Sequence, residues 1–202
     1  MRVITRGDLD GLASSVFLSV MNDVTDISFA HSRDMQEVEV EVTADDIVVN
    51  LPFVPGCGMW FDHHGYEGDR VDVQGDFVGK YGIAPSAACL IFDYYDSPDL
   101  APFADMLVYV DKVDAADLSV EDVTAPEGWV ALGYTCDPRS GLGRFYDYFH
   151  LLTRSGEKAD PDRRDHAAPR SQEPHRGPGR RPGAVFGLPS QQLDYGRQCG
   201  HH

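Results

Sequence analysis

Basic side chains are scarce in this sequence. The 202 residues include 17 Lys and Arg against 33 Asp and Glu, a formal net charge of −16. Such a surface repels phosphate backbones and excludes a large nucleic-acid footprint unless bound cations intervene. Cysteine is scarce as well. Cys57, Cys89, Cys136 and Cys199 are far apart and form no CxxC pair, which reads as reduced thiols rather than a zinc cluster or a disulfide framework. No apolar run approaches the ~20 residues that cross a bilayer, so no membrane partner is expected. The opening MRVITRGDLDG has acids where a signal peptide needs an apolar stretch, so the expected location is the cytoplasm.

Core formers are present but unevenly spread. The chain is 42% hydrophobic, with 10 Phe and 9 Tyr, enough for one α/β domain. Residues 1–154 carry 27 acidic and 9 basic side chains, whereas residues 155–202 carry 6 and 8. The later stretch has few large apolar residues and runs such as HRGPGRRPG. That composition does not offset chain entropy. The expected division is a folded domain over 1–155 and an irregular or disordered Arg/Pro/Gly-rich tail over 156–202.

Within the domain, strands and helices alternate. Arg2–Thr5, Asp26–Ala30, Asp46–Leu51 and Met59–Phe61 read as strands. Gly11–Asn22 reads as a helix with Leu12, Val16 and Val20 on one stripe. A second helix is expected from Pro85 to Tyr95, with Pro85 in its first turn. Phe103–Val110 reads as helix turning to strand, and Phe145–Leu152 as a closing helix. This alternation predicts an α/β fold with a doubly wound parallel sheet, whose ligands sit at the carboxyl ends of the strands.

The polar residues collect at those ends. Arg6-Gly7-Asp8-Leu9-Asp10-Gly11 follows the first strand, Asn50 the third, and Asp62-His63-His64 the fourth. Asp111-Lys112-Val113-Asp114 follows the later apolar run MLVYV. Each piece alone has a plainer reading, as a helix cap, an exposed turn or a solvated acid. Their conjunction points to a metal centre. Hard carboxylates with imidazole suit Mn²⁺ or Mg²⁺. Two such ions roughly 3.5–4 Å apart activate water for in-line phosphoryl displacement.

RGDLDGLAS at 6–14, the DHH triplet at 62–64, APSAA at 84–88 and DKVDAAD at 111–117 together resemble the DHH phosphoesterase superfamily. HSRDMQ, NLPFVPGCGMWFDHH and DPRSGLGRF bring the likeness closest to its bacterial exopolyphosphatase-like branch. The resemblance covers roughly residues 1–155. It implies a metal-dependent hydrolase of polyphosphate, pyrophosphate, short oligonucleotides or cyclic dinucleotides, closed by a second domain. It implies Asp8, Asp10, Asn50, His63 and Asp111 as metal ligands, with Asp114 and His31 in reserve. Asp62, His64 and Arg6 form the implied catalytic set. Phosphate donors are expected at His64 and at Arg139 and Arg144; for the two arginines a basic, Gly-rich linker is an equal alternative reading.

Two positions depart from the family pattern. Arg6 stands where a histidine is usual, and Asn50 where a bridging aspartate is usual. A guanidinium cannot ligate a metal, and an amide oxygen bridges two dications poorly. One Mn²⁺ or Mg²⁺ is therefore expected in preference to two. The alternative function is a non-catalytic phosphate- or nucleotide-binding domain with a degenerate metal centre. Either way the expected partner is a small phosphorylated ligand; the sequence does not fix the oligomeric state.

The tail carries its own expectation, a reading-frame slip near Arg163. With suitable codons for Asp162 to Arg176, the same DNA read one base on gives DEIMRLPEVKSRIE, an amphipathic stretch. The alternative is a natural disordered basic tail.

Overall fold

The computed structural model describes residues 1–37, 40–65, 77–136, 139 and 141–157. The expected tail, 156–202, lies outside them except for its first two residues.

Five strands form one parallel sheet. They are β1 (Arg2–Thr5), β2 (Asp26–Phe29), β3 (Asp46–Val49), β4 (Met59–Asp62) and β5 (Gly79–Tyr81), in the order β2-β1-β3-β4-β5. The helices are α1 (Leu9–Met21), α2 (Ser32–Gln36), α3 (Ala87–Tyr95), α4 (Ala104–Asp114), α5 (Val120–Thr124), α6 (Gly128–Thr135) and α7 (Gly143–Glu157). The parallel α/β sheet expected from the alternation is thus present. After β2 the chain crosses back over β1 to lay down β3. Strand order reverses between β1 and β3, and their carboxyl ends flank the crevice where such sheets bind ligands.

Side-chain alternation along the strands builds two cores. Val3, Ile47, Val49, Met59 and Phe61 share one buried cluster with Leu12, Val16 and Phe17 of α1, Ile91 of α3, Met106 and Val110 of α4 and Phe145 of α7. Phe17 anchors it, with ring centroids 5.8 Å from Phe92 and 5.7 Å from Phe103. Ile4, Val48 and Trp60 face the other way, onto Met35 of α2 and the partly buried Phe53, Phe77 and Tyr81. Trp60 stacks on Tyr81 at 5.0 Å, and its indole N–H donates to the Leu51 carbonyl at 2.9 Å. The β1–β3 register, which pairs Arg2 with Asp46, is reinforced by a fork. Arg2 donates twice to the buried Asp46 carboxylate, each time at 2.8 Å.

Three local expectations are corrected. The stretch at 103–110 does not turn to strand: a 3-10 turn at Pro98–Phe103 runs into α4, which continues to Asp114. Met106, Leu107 and Val110 bury one helical face while Tyr109 is exposed, so the 3.6-residue period overrides the β-branched run. Pro85 precedes the cap Ser86 instead of entering the first turn of α3. Cys57 and Cys136 are free thiols, but Cys89 is disulfide-bonded.

Candidate functional site

The site begins with a close approach of two backbones. A Cβ on Gly11 would lie 2.1 Å from the Arg6 carbonyl oxygen and 2.8 Å from Thr5 Oγ1. Only glycine lets the first turn of α1 press onto the end of β1. That turn carries both acids of the DxDG segment. Asp8 is the N-cap, its Oδ1 accepting from the Gly11 amide at 2.9 Å. Asp10 follows in the first turn and is buried.

Asp10 reaches the start of α3. Its Oδ1 accepts from the Ala88 amide at 2.8 Å and its Oδ2 from the Ala87 amide at 3.0 Å. Those amides are orphan donors of a helix N-terminus, where a carboxylate is favoured. Burial, with the charges of Asp114 and Asp8 adding, still pushes the Asp10 carboxyl up to about 8. Burial likewise raises Asp8, against the opposing pull of Arg6.

The triplet lies where β4 ends. Asp62 is buried, and its Oδ1 accepts from the His63 amide at 3.0 Å and from His64 Nδ1 at 2.7 Å. It thereby fixes the His63 backbone and orients the His64 imidazole. His63 Nδ1 donates to the Ala84 carbonyl at 3.1 Å, which turns Nε2 toward the acids. That Nε2 lies 2.9 Å from Asp114 Oδ2 and 3.9 Å from Asp10 Oδ2. Burial opposes charging His63, but Asp114 and Asp10 outweigh it and raise the imidazole to about 9. The His64 carbonyl accepts from the Tyr81 hydroxyl at 3.0 Å, tying the triplet to β5.

The late acids arrive on α4, not at a strand end. Asp111 and Asp114 are one helical turn apart, yet only Asp114 meets His63. Asp111 instead accepts from Ser86 Oγ at 2.6 Å, and burial pushes it up to about 6. Ser86 also caps α3 through the Cys89 amide at 2.9 Å. Sequence reasoning gave no role to Ser86, the Ala84 carbonyl or the Ala87 and Ala88 amides. Their signal was the APSAA segment itself.

Asp10, His63 and Asp114 offer ligand atoms that all lie within 4.8 Å of one another. Although Asp114 is near, His63 Nε2 is a buried atom without an aligned hydrogen-bond partner. Two carboxylates and an imidazole nitrogen, once that nitrogen gives up its proton, fit a hard divalent cation. The raised proton affinity of Asp10 comes chiefly from burial, with Asp114 and Asp8 adding, and that of His63 from the acids that face it against burial.

The remaining candidates sit elsewhere around this group. Asp8 is held by Arg6 Nε at 3.1 Å and by Asn50 Nδ2 at 3.3 Å. Asn50 is buried at the end of β3 with φ of 54°, a left-handed conformation that asparagine tolerates, and its Oδ1 lacks a partner. His31 is exposed and caps α2, its Nδ1 accepting from the Arg33 amide at 3.2 Å. Arg139 and Arg144 are exposed. Arg144 still acts electrostatically near the site. Burial pushes the Cys136 thiol up to about 11, with Asp8 adding to the shift and Arg144 opposing it. Cys57 is raised to about 11 by burial, which leaves it an unreactive thiol. No helix among the described residues is long and apolar enough to cross a membrane.

No family model matches the chain, and no curated protein matches it. Among solved structures it is similar to a pGpG-specific phosphodiesterase, PggH from Vibrio cholerae. The two are 32% identical with a TM-score of 0.60, over 76% of this chain and 51% of that one. This chain therefore spans about half the length of that relative. The likeness joins the Asp-x-Asp-Gly turn and the Asp-His-His triplet in supporting a DHH-like fold and site.

Proposed function

We propose that this chain is the metal-holding domain of a phosphoesterase that cleaves short oligonucleotide phosphodiesters. The observation that carries the reading is the convergence of Asp10, His63 and Asp114 at the carboxyl edge of the sheet, with His63 Nε2 buried and unaligned. These three residues would hold one Mn²⁺ or Mg²⁺. A bound ion would supply Lewis-acid polarisation and would lower the pKa of a water molecule toward neutrality. Asp62 holds the His63 backbone and the His64 ring, and the Ala84 carbonyl holds the His63 ring. His64, partly exposed beside them, is suited to hold a phosphoryl oxygen or pass a proton to the leaving oxygen. Arg144 adds positive potential from α7. The relative's specificity for pGpG favours a dinucleotide over polyphosphate as substrate.

A second reading rests on Asp8. Both of its oxygens are engaged by protein donors, as in a metal centre that has decayed into a phosphate- or nucleotide-binding site. One panel separates the two. Product release from pGpG, bis-p-nitrophenyl phosphate, pyrophosphate and polyphosphate is followed with Mn²⁺, using His63→Ala as control. Turnover of pGpG that depends on Mn²⁺ and is lost in His63→Ala supports the hydrolase. Tight pGpG binding without turnover supports the binding domain.

A further inference from the structure

The two halves of the site have opposite hydrogen-bond character. Around Asp10, His63 and Asp114 two carboxylates converge on one imidazole nitrogen, a place that suits a cation. Around Asp8 the protein supplies donors. Asp8 Oδ1 takes the Gly11 amide and Asn50 Nδ2, and Oδ2 takes Arg6 Nε. A carboxylate bound in this way has its best lone pairs occupied, and a nearby guanidinium repels a further dication. Burial raises both Asp8 and Asp10, and the Asp114 charge adds to each, so the two halves feel the same acid.

We propose that Arg6 is the resident cation of the Asp8 side, so that the site holds one divalent ion and presents Arg6 as its second positive charge. This rests on the metal-dependent reading above. The guanidinium is a cation with five N–H donors, of which the Asp8 contact uses one. Its side chain is 44% exposed, so the remaining fork is open to a phosphoryl oxygen. The Arg6 backbone cannot drift away, because its carbonyl is pressed against Gly11. Asn50 completes the arrangement. With an amide at this buried point, Asp8 receives a hydrogen bond where a second carboxylate would bring repulsion or demand an ion.

The test is Mn²⁺ calorimetry on the full chain, backed by the electron spin resonance signal of bound Mn²⁺. The wild type should bind one ion and give the spectrum of an isolated centre. Arg6→His and Arg6→Gln should each bind two ions, with spin–spin coupling, and Arg6→Lys, which keeps the charge, should stay at one. Circular dichroism confirms the fold of each variant; Arg6→Gln decides the matter if Arg6→His does not fold. Two ions in the wild type, or one ion in either folded variant that lacks the Arg6 charge, overturns the role of Arg6 and leaves the metal-dependent reading standing. No ion in the wild type overturns that reading, and the role of Arg6 with it.

Discussion

Gly11→Ala probes how firmly the site is built into the fold. The new Cβ would sit 2.1 Å from the Arg6 carbonyl oxygen and 2.8 Å from Thr5 Oγ1, against an ordinary separation of about 3.5 Å. The nearer obstacle is backbone at the end of β1, so no rotamer change relieves it. Overpacking of this kind costs about 1–3 kcal/mol. Alanine recovers roughly 1 kcal/mol of that through its better helix propensity. The net loss is up to about 2 kcal/mol, or at most ~8 °C of melting temperature at about 2–4 °C per kcal/mol for a chain of this size.

The larger effect should fall on metal binding. To clear the clash, the first turn of α1 must move by about an ångström, and it carries Asp10 with it. Asp10 is held to Ala87 and Ala88 by hydrogen bonds of 3.0 and 2.8 Å, so that motion pulls it from its partners. A misplacement of this size costs on the order of 100-fold in site function, and Mn²⁺ affinity should fall at least ~10-fold. Gly143→Ala is the control. Nothing lies within 4 Å of its added Cβ at the start of α7, so it should stabilise by about 0.5–1 kcal/mol and leave Mn²⁺ binding unchanged. Thermal melting and calorimetry read both effects. A Gly11→Ala protein that melts with the wild type and binds Mn²⁺ equally well would refute this account of the turn.

Other outcomes follow from the same geometry. Asp10 and His63 hold their protons in the ion-free fold to about pH 8 and 9, above their ordinary values of ~3.9 and ~6.5. The ion-free fold should therefore lose stability as pH rises between roughly 4 and 9, and the gain in melting temperature from Mn²⁺ should be greater near pH 8.5 than near pH 6; a gain independent of pH contradicts the assignment. Asp114→Ala should weaken Mn²⁺ binding more than ~100-fold and Asp111→Asn no more than ~10-fold; calorimetry giving the reverse order would restore Asp111 as the ligand. Burial opposes the charge on Asp46, but Arg2 outweighs it and holds the carboxyl below the usual range. Its contribution is therefore complete above the ordinary carboxylate pKa and lost as pH falls through the lowered one. Asp46→Ala should cost about 2 kcal/mol in urea unfolding at neutral pH and progressively less under acid; an equal cost at all pH values counts against the pair.

Much of this was legible in the sequence. Apolar alternation in DIVV and MWFD, with a helical stripe between strands, was enough to place β1, β3 and β4 and to collect Asp8, Asp10, Asn50 and the triplet at one edge. β5 was not legible. It is three residues, GKY, with one apolar side chain, and Tyr81 earns its place only by stacking on Trp60. The short α2 and α5 are fixed by caps, His31 and Ser119, rather than by an apolar period. The choice between Asp111 and Asp114 was also hidden. Read as a strand, MLVYV puts the first following acid at the edge. Wound as a helix, it turns Asp111 toward Ser86 and carries Asp114 to His63.

The helical placement of Asp114 also bears on the proposed cation. Asp8 and Asp10 sit at the N-terminus of α1, and Asp10 touches the N-terminus of α3, where helix dipoles favour negative charge. Asp114 is the last residue of α4, where the dipole disfavours it. Its carboxylate is thus the least compensated of the three, and its facing group is an imidazole nitrogen at 2.9 Å. Without an ion, a proton on His63 supplies the missing charge. With one, that proton is displaced and the charge beside Asp114 doubles. The fold therefore places its strongest electrostatic need where α4 ends against β4. A strand-borne acid in the same place would lack the opposing dipole and would hold the ion less tightly.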